Sequence, residues 1–328
     1  ASTLNALLTH VGQPEWSMAR LQGVMGHAFQ FQMPADASHQ MHDNLDWSIA
    51  LEAVPQIGQF KSFEASKEDT DIDLWAYKAE ARDATLQSLE RGQPVLVWQP
   101  MSREQQADKS HPAHHAYCWG LVVGYNEDSE EYTVRHPFVP ETYTVRYDSI
   151  GHSDGHEWFH LKMWQGDSAA PEGEIHREAL RHAVEFADGS RFTDENWIRA
   201  DGRQVRPYGF AAYTTWHDAF DASEVVVPPS VHHTHMLRMR RTAAAAYMRE
   251  LVDIFPDAAG SLQTAAKHYD SEVEHLQPLF DLVDTVARDR RRLTDDERSN
   301  VQRLIRAALE ADRAAVGQIE VVLAQLDE

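Results

Sequence analysis

Three short hydrophobic runs, separated by turn-forming residues, give the chain its clearest pattern. They lie within residues 114–126, 132–137 and 142–147 and are rich in valine, tyrosine and threonine. Runs of this length and composition predict three antiparallel strands that pair in sequence order. The first run contains Leu121, Val122 and Val123 in succession, which indicates a strand that is buried on both faces.

Elsewhere the apolar positions recur mostly at helical spacing. We predict helices at 3–12, 17–24, 46–54, 71–91, 174–187, 208–220, 242–255, 258–288 and 294–326, and further strands at 26–32, 95–98 and 157–164. Pro228 and Pro229, within residues 225–230, predict a boundary before the last three helices. Those helices are long and amphipathic, which favours an antiparallel bundle.

Together the two patterns predict an α+β fold in two domains. Residues 1–166 would form a domain built around an antiparallel sheet, and residues 167–328 would form a helical domain. Within the second domain, residues 174–220 provide connecting helices and residues 231–328 provide the antiparallel bundle.

Charge limits the classes of partner. The 328 residues carry a formal net charge of −22, which would repel nucleic acid and anionic membranes, so we expect neither as a partner. Basic clusters at 238–241 and 288–292 fall on predicted helices and are interpreted as solvated faces or helix ends. The absence of a long apolar run and of a secretory signal favours a cytoplasmic protein. We expect no cofactor, and the sequence leaves a homodimer open.

Four segments indicate a more specific relationship. They read Gly-Gln-Pro-Val-Leu-Val at 92–97, Val-Val-Gly-Tyr at 122–125, Tyr-Thr-Val-Arg-His-Pro at 132–137 and Thr-Leu-Asn-Ala-Leu-Leu at 3–8. Their order resembles the papain-like cysteine peptidase superfamily, in particular the branch of bacteriocin-leader peptidases and the butirosin-biosynthesis type of acyltransferase. Residues 209–216 and the helical tail are similar to the domain that often follows. The resemblance implies a papain-like sheet domain and thiol-dependent acyl transfer or amide hydrolysis.

The residues that would carry this chemistry are altered here. The cysteine nucleophile of the superfamily opens the first helix, and the matching position falls at Ala1 or just before it. The family histidine lies six residues before the glycine of the Gly-Tyr pair, and counting back from Gly124 reaches Cys118. The family Asp or Asn precedes a proline on the next strand, and that residue is His136.

Cys118 and His136 are therefore the first candidate site. Neighbouring strands would bring the thiol and the imidazole together, and such a pair can form a thiolate–imidazolium dyad. The alternative is an inert, buried cysteine beside an unrelated histidine, because free cysteines are often buried.

The histidine-rich segments offer metal ligands, but their patterns favour other interpretations. His156 and His160 match the His-Glu-x-x-His pattern of zinc proteases, which requires a helix. The segment reads as a strand, in which the two rings would lie ~13 Å apart, too far to share one ion. Two other clusters would bind metal only adventitiously: His111, His114 and His115, and His232, His233 and His235. We predict no metal site.

The aromatic helix at 208–220 is the second candidate site. Its residues Tyr213, Trp216 and His217 recur at helical spacing and share one face. That face is either the packing surface between the two domains or one wall of an apolar ligand pocket, with polar tips supplied by Tyr213 and His217.

Three hypotheses about function follow. The first is a diverged, noncatalytic protein that binds a small molecule or the arm of an acyl carrier in the interdomain cleft, with His27 and Phe29 on a further wall. The second is a thiol-dependent acyltransferase or amide hydrolase that uses Cys118 and His136, or a cysteine upstream of Ala1. The third is a zinc hydrolase on the His-Glu-x-x-His pattern. The net charge would suit a cationic ligand.

Overall fold

One six-stranded antiparallel sheet contains the three strands predicted from the hydrophobic runs. The strands are β1 (Gly58–Ser66), β2 (Val95–Trp98), β3 (Trp119–Asn126), β4 (Glu131–His136), β5 (Val139–Arg146) and β6 (Trp158–Asp167). Their order across the sheet is β1-β6-β2-β3-β4-β5. The meander of β3, β4 and β5 is thus confirmed, and β1 lies at the opposite edge.

The computed structural model describes residues 1–13, 15–33, 47–66, 69, 71–150, 158–168, 170–190, 207–222 and 226–327. The helices are α1 (Ser2–His10), α2 (Met18–Val24), α3 (Trp47–Ile57), α4 (Leu74–Glu90), α5 (Arg103–Ala107), α6 (Glu172–Asp188), α7 (Gly209–Ala222), α8 (Val227–Ile254), α9 (Ala259–Arg288) and α10 (Asp295–Asp327). Among the described residues, none of these helices combines the length and apolar character needed to cross a membrane.

The chain divides into two units. Unit 1 comprises Ala1–Met18 and Pro55–Ala169, and unit 2 comprises Ala19–Val54 and Ala170–Glu328. The sheet and α4 belong to unit 1, whereas the long helices α8, α9 and α10 belong to unit 2. Each unit has its own hydrophobic core.

In unit 1 the alternation of side chains along the strands builds the core on one face of the sheet. Val95 and Val97 of β2, Val122 of β3 and Val134 of β4 are all completely buried there. Helix α4 covers this face with partly buried apolar side chains, and it begins at Asp73, whose side chain accepts the Ala76 N–H.

In unit 2 the predicted helices pack around an apolar core. The capping box at the start of α10 is present, because Thr294 Oγ1 accepts the Glu297 N–H (3.2 Å) and Glu297 accepts the Thr294 N–H (2.9 Å). Helix α7 begins at Gly209, where φ is +52° and a Cβ atom would lie 2.2 Å from the Ala187 carbonyl oxygen. Only glycine fits this approach.

Two predictions about local structure are wrong. Over residues 226–230 the predicted boundary is not a linker, because the last three helices begin there: Pro228 and Pro229 lie in the first turn of α8, where the missing N–H costs no helical hydrogen bond. The strand at 26–32 is replaced by turns with one isolated bridge between Gln32 and Tyr208. Gly26 has a φ of +72°, which an extended strand does not allow.

The prediction for the basic cluster at 238–241 is also wrong in part. Arg240 is 6% exposed and Arg241 is 1% exposed, so these two side chains lie inside unit 2. The two guanidinium groups instead donate to backbone carbonyl oxygens of residues 28–30, partners that are distant in sequence.

Candidate functional site

The structure brings the two residues of the first candidate site into contact. Cys118 directly precedes β3, His136 ends β4, and the pairing of these strands leaves Cys118 Sγ 3.5 Å from His136 Nε2. The same Nε2 atom lies 3.3 Å from the Cys118 carbonyl oxygen, which also accepts the Gln99 N–H at 3.1 Å. His136 is buried, and Cys118 is half-buried.

The second ring nitrogen of His136 decides the protonation state. The backbone N–H of Phe138 donates to His136 Nδ1 at 3.2 Å. Because a backbone N–H only donates, Nδ1 carries no proton, and the proton of the neutral ring is on Nε2. Burial lowers the pKa of His136, although the hydrogen bond to the Cys118 carbonyl opposes this shift. The ring therefore stays neutral and presents a donor to the thiol rather than a base.

The terminal amine of Ala1 interacts electrostatically with Cys118, and burial lowers the pKa of this amine to about 6. Two uncharged groups also lie near the sulfur. The Trp119 carbonyl oxygen lies 3.8 Å from Cys118 Sγ and can accept the thiol hydrogen. The Tyr143 hydroxyl donates to the Pro100 carbonyl at 2.9 Å, and burial, with Cys118 as a secondary cause, raises the pKa of Tyr143. At the end of these two strands His136 is thus a neutral donor beside the sulfur, not the imidazolium of a thiolate–imidazolium dyad.

The aromatic side chains of α7 lie inside unit 2. Tyr213 and Trp216 are completely buried, and both rings contact Phe31 edge-on, with centroids 4.7 and 5.9 Å apart. Trp216 Nε1 donates to Ser230 Oγ at 2.9 Å. The predicted aromatic face of this helix is thus part of the core of the helical unit.

His217 and Tyr213 line a pocket of about 130 Å³ between α7 and α10, together with Thr214, Ile305, Arg306 and Leu309. His217 Nδ1 donates to Asp218 Oδ1 at 2.8 Å, and Arg306 Nη2 donates to His217 Nε2 at 3.1 Å. A guanidinium can only donate, so Nε2 of His217 is the acceptor in this contact. The pocket therefore combines apolar side chains with a guanidinium oriented by His217.

Directly behind this pocket lies a buried charged cluster, here called the Arg241 cluster: Tyr213, Arg241, Glu272 and Asp312. Arg241 Nε donates to Glu272 Oε2 at 3.0 Å, and Nη2 donates to Asp312 Oδ2 at 2.9 Å and to Tyr213 Oη at 3.2 Å. Nη1 donates to the carbonyl oxygens of residues 28 and 29 at 2.9 and 3.0 Å. All five N–H groups of the guanidinium are thus used.

The Arg241 cluster contains two carboxyl groups for one guanidinium. Burial raises the pKa of Glu272 well above its ordinary value, and the charge of Arg241 opposes this shift. Burial likewise raises the pKa of Asp312. Two anions side by side in a dry interior would repel each other, which also favours keeping a proton on the pair. Tyr213 hydrogen-bonds to Glu272 and thereby connects this cluster to the pocket wall.

The other predicted wall residues lie apart from the pocket. The Phe29 ring is buried near the rings of Tyr247 and Tyr269, with centroids 6.0 and 6.3 Å away, and only its carbonyl reaches the Arg241 cluster. Burial lowers the pKa of His27 well below its ordinary value, with Arg240 as a secondary cause. The pocket thus brings together two of the five ligand-binding residues predicted from the sequence.

Sequence reasoning missed the α10 side of the pocket and the Arg241 cluster. Ile305 and Leu309 belong to the apolar face of the last predicted helix, so the sequence pattern already indicated that they share one side of it. The partners of Arg241 lie 31 and 71 residues further along the chain. No local pattern in the sequence indicates which carboxyl groups these are.

The histidines proposed as metal ligands have other roles where they are described. His111 Nδ1 accepts the Ala113 N–H at 3.1 Å and caps a short helical turn, and His233 is completely buried on α8. His160 lies on β6, as the strand interpretation requires, whereas His156 lies outside the described residues. Within the described ranges, no three His, Cys, Asp or Glu side chains are grouped closely enough to hold a metal ion.

We compared the sequence with protein-family models and with curated proteins. No protein-family model matches the chain, and no curated protein matches it in sequence. Its function is therefore inferred from the arrangement of the residues described above.

Proposed function

We propose that this chain is a small-molecule-binding protein on a papain-like scaffold that no longer carries thiol chemistry. The observation that supports this most strongly is the Phe138 N–H donated to His136 Nδ1 at 3.2 Å. A thiol nucleophile needs an adjacent base or a cation that stabilises its thiolate. His136, neutral and protonated on Nε2, provides neither to Cys118.

The pocket of unit 2 is the best candidate for the ligand. At the ~30 Å³ that one water occupies in the liquid, its volume of about 130 Å³ encloses roughly four heavy atoms, so one end of a ligand such as butyrate would extend out of the pocket. Ile305 and Leu309 provide apolar contacts, and Arg306 provides a positive charge that can meet a carboxylate or carbonyl oxygen. A short acyl group with an anionic or strongly polar end fits both features. The cationic ligand suggested by the net charge does not fit beside Arg306.

Alkylation of Cys118 tests the loss of thiol chemistry, since this is the only cysteine in the chain. We expect the rate of reaction with iodoacetamide to follow thiolate formation with a midpoint at or above that of a free thiol, about 8.5. A midpoint below ~7 would contradict the proposal and favour the alternative, a thiol-dependent acyltransferase or amide hydrolase using Cys118 and His136.

The variant His136→Asn is the matched control for that experiment. The asparagine Oδ1 can replace Nδ1 as the acceptor of the Phe138 N–H, so the loop geometry is preserved while the Nε2 group is removed. With a neutral pair, the alkylation midpoint changes by less than about half a pH unit. In a thiolate–imidazolium dyad the same substitution would raise the midpoint by well over one unit.

Binding of butyrate, measured by calorimetry, tests the pocket itself. We expect butyrate to bind more tightly than butyramide, and Arg306→Gln to weaken butyrate binding about tenfold. Arg303→Gln removes the same charge from an exposed position one turn earlier on α10 and should leave binding unchanged. Equal binding of butyrate and butyramide, or equal effects of the two variants, would refute the assignment of Arg306.

A further inference from the structure

A second cavity, in unit 1, has the chemistry of a ligand site. It has a volume of about 160 Å³ and is lined by Trp75, Lys78, Ala79, Arg82, Glu130, Arg146, Tyr147 and Asp148. The first four follow each other at i, i+3, i+4 and i+7 on α4 and so form one helix face. The opposite wall comes from the turn before β4 and from the end of β5. This cavity is separate from the pocket between α7 and α10.

Trp75 is the first unusual feature of this cavity. The side chain is 66% exposed, although burying a residue of this size normally stabilises a fold considerably. Among the large hydrophobic side chains that the structure describes, only Phe138, at 67%, is more exposed. An indole at the edge of a cavity offers a flat surface on which another ring can stack.

Lys78 is the second unusual feature of this cavity. Its side chain is 7% exposed, and its Nζ donates to the Asp148 carbonyl at 2.7 Å and lies 5.5 Å from the centroid of the Phe159 ring. These contacts fix an ammonium group in the wall of the cavity. A positive charge is rarely buried to this extent without a specific role for it.

The distribution of charge favours an anion. Arg146 engages both acidic residues of the lining, because it lies 3.1 Å from Asp148 Oδ1 and 3.5 Å from Glu130 Oε2. The three cations and two anions of the lining leave a formal charge of +1 in a chain whose net charge is −22. Arg82, on the helix face beside Lys78, donates from Nε and Nη2 to Asp83 Oδ1 at 3.3 and 3.1 Å, which leaves its Nη1 group as the donor for a ligand.

We propose that this cavity binds a small aromatic carboxylate, with the ring stacked on Trp75 and the carboxylate held by Lys78 and Arg82. A monoanion matches the charge of the lining, whereas a phosphate dianion would meet the carboxylates of Glu130 and Asp148. The enclosed volume accommodates roughly five heavy atoms at ~30 Å³ each, which is one edge of a ring with its carboxylate. The site is independent of the proposed acyl pocket in unit 2.

Benzoate, titrated into protein labelled with 5-fluorotryptophan, is the direct test. The Trp75 ¹⁹F resonance, assigned by its loss in Trp75→Phe, should shift and saturate, with benzamide at least about tenfold weaker. Arg82→Gln should weaken benzoate five- to tenfold, and Arg135→Gln, an exposed charge on β4, should not.

Three outcomes would overturn the proposal. They are no saturable shift by ~10 mM benzoate, equal binding of benzamide, and a shift produced by glucose but not by benzoate. The last would make the cavity a carbohydrate site. Arg306→Gln, which affects only the unit 2 pocket, should leave the benzoate titration unchanged, so a failure of one site is distinguishable from a failure of the other.

Discussion

The Cys118–His136 pair and the Arg241 cluster show two different ways of placing polar side chains in a protein interior. The pair is neutral, joins residues 18 positions apart, and follows from the pairing of two adjacent strands. The cluster is charged and joins residues 28 to 71 positions apart through the packing of separate helices. A sheet register can be predicted from local patterns, whereas the contacts of a buried charge depend on the whole bundle.

The energetic consequences differ in the same way. A neutral hydrogen bond contributes about 0.5–1.5 kcal/mol, so the pair is a small part of the stability of unit 1. A buried guanidinium must have all its donors satisfied, and removing it leaves its anionic partners buried and unpaired. The Arg241 cluster should therefore tolerate substitution far less than the residues that resemble a catalytic dyad.

The largest effect is expected for Arg241→Met. Two buried carboxyl groups lose their cation and helices α7, α9 and α10 lose a common partner, so the free energy of unfolding should fall by about 3–5 kcal/mol in urea denaturation. Arg249→Ala is the control, because its ion pair with Asp270 lies on the surface, with side chains 51% and 45% exposed. That substitution should cost less than ~1 kcal/mol. Similar losses for both variants would mean that the cluster has no special role.

Glu272→Gln should change how stability depends on pH. Because burial raises the folded pKa, folded Glu272 keeps a proton that the unfolded chain loses above its ordinary value of 4.5. The unfolding free energy of the parent protein should then fall as pH rises from about 4.5 towards the folded pKa, by up to ~1.4 kcal/mol per pH unit. The glutamine variant lacks this contribution. Glu274→Gln, at an exposed position on the same helix, is the control and should show the same dependence of unfolding free energy on pH as the parent protein. The same dependence in Glu272→Gln would show that the Glu272 carboxyl group is ionised in the folded state.

Gly120→Ala should have an intermediate effect on the neutral pair. A Cβ atom at this position would lie 2.9 Å from Pro100 Cγ and 3.2 Å from His136 Cδ2. We expect a loss of about 1–3 kcal/mol and faster alkylation of Cys118 as His136 is displaced. In Gly124→Ala, on the same strand, the new Cβ would be no closer than 3.5 Å to Thr133, so thermal unfolding should be nearly unchanged. Equal stability of both variants would contradict the tight packing around His136.

The smallest effect is expected for Cys118→Ala. His136 Nε2 can still donate to the carbonyl of residue 118, so only the contact with the sulfur is lost. The unfolding free energy should change by ~1 kcal/mol or less. A loss above ~3 kcal/mol would show that the thiol carries more of the stability of unit 1 than a neutral contact can.

Those parts of the fold that depend on local patterns were predictable. The meander follows from alternating apolar runs and turns, and α10 from its capping box and apolar stripe. The contact between Cys118 and His136 followed from their places on neighbouring strands. The neutral state of His136 could not be predicted from the sequence, because it depends on which backbone group contacts His136 Nδ1.

The remaining elements depend on contacts that are distant in sequence. β1 was missed because it is an edge strand with exposed residues at four of its nine positions, and its partner β6 begins about a hundred residues later. The segment 26–32 was mistaken for a strand because its carbonyl groups are satisfied by Arg240 and Arg241 rather than by a neighbouring strand. Helix spacing alone could not indicate that these two arginines point inward.

The protonation of His136 is the central claim, and ¹⁵N chemical shifts of its ring, assigned with His136→Asn, measure it directly. At pH 6.5, where a free histidine is half protonated, we predict a neutral ring with a proton on Nε2 and none on Nδ1. Two protonated ring nitrogens at that pH would identify an imidazolium beside Cys118, and the noncatalytic interpretation would be wrong.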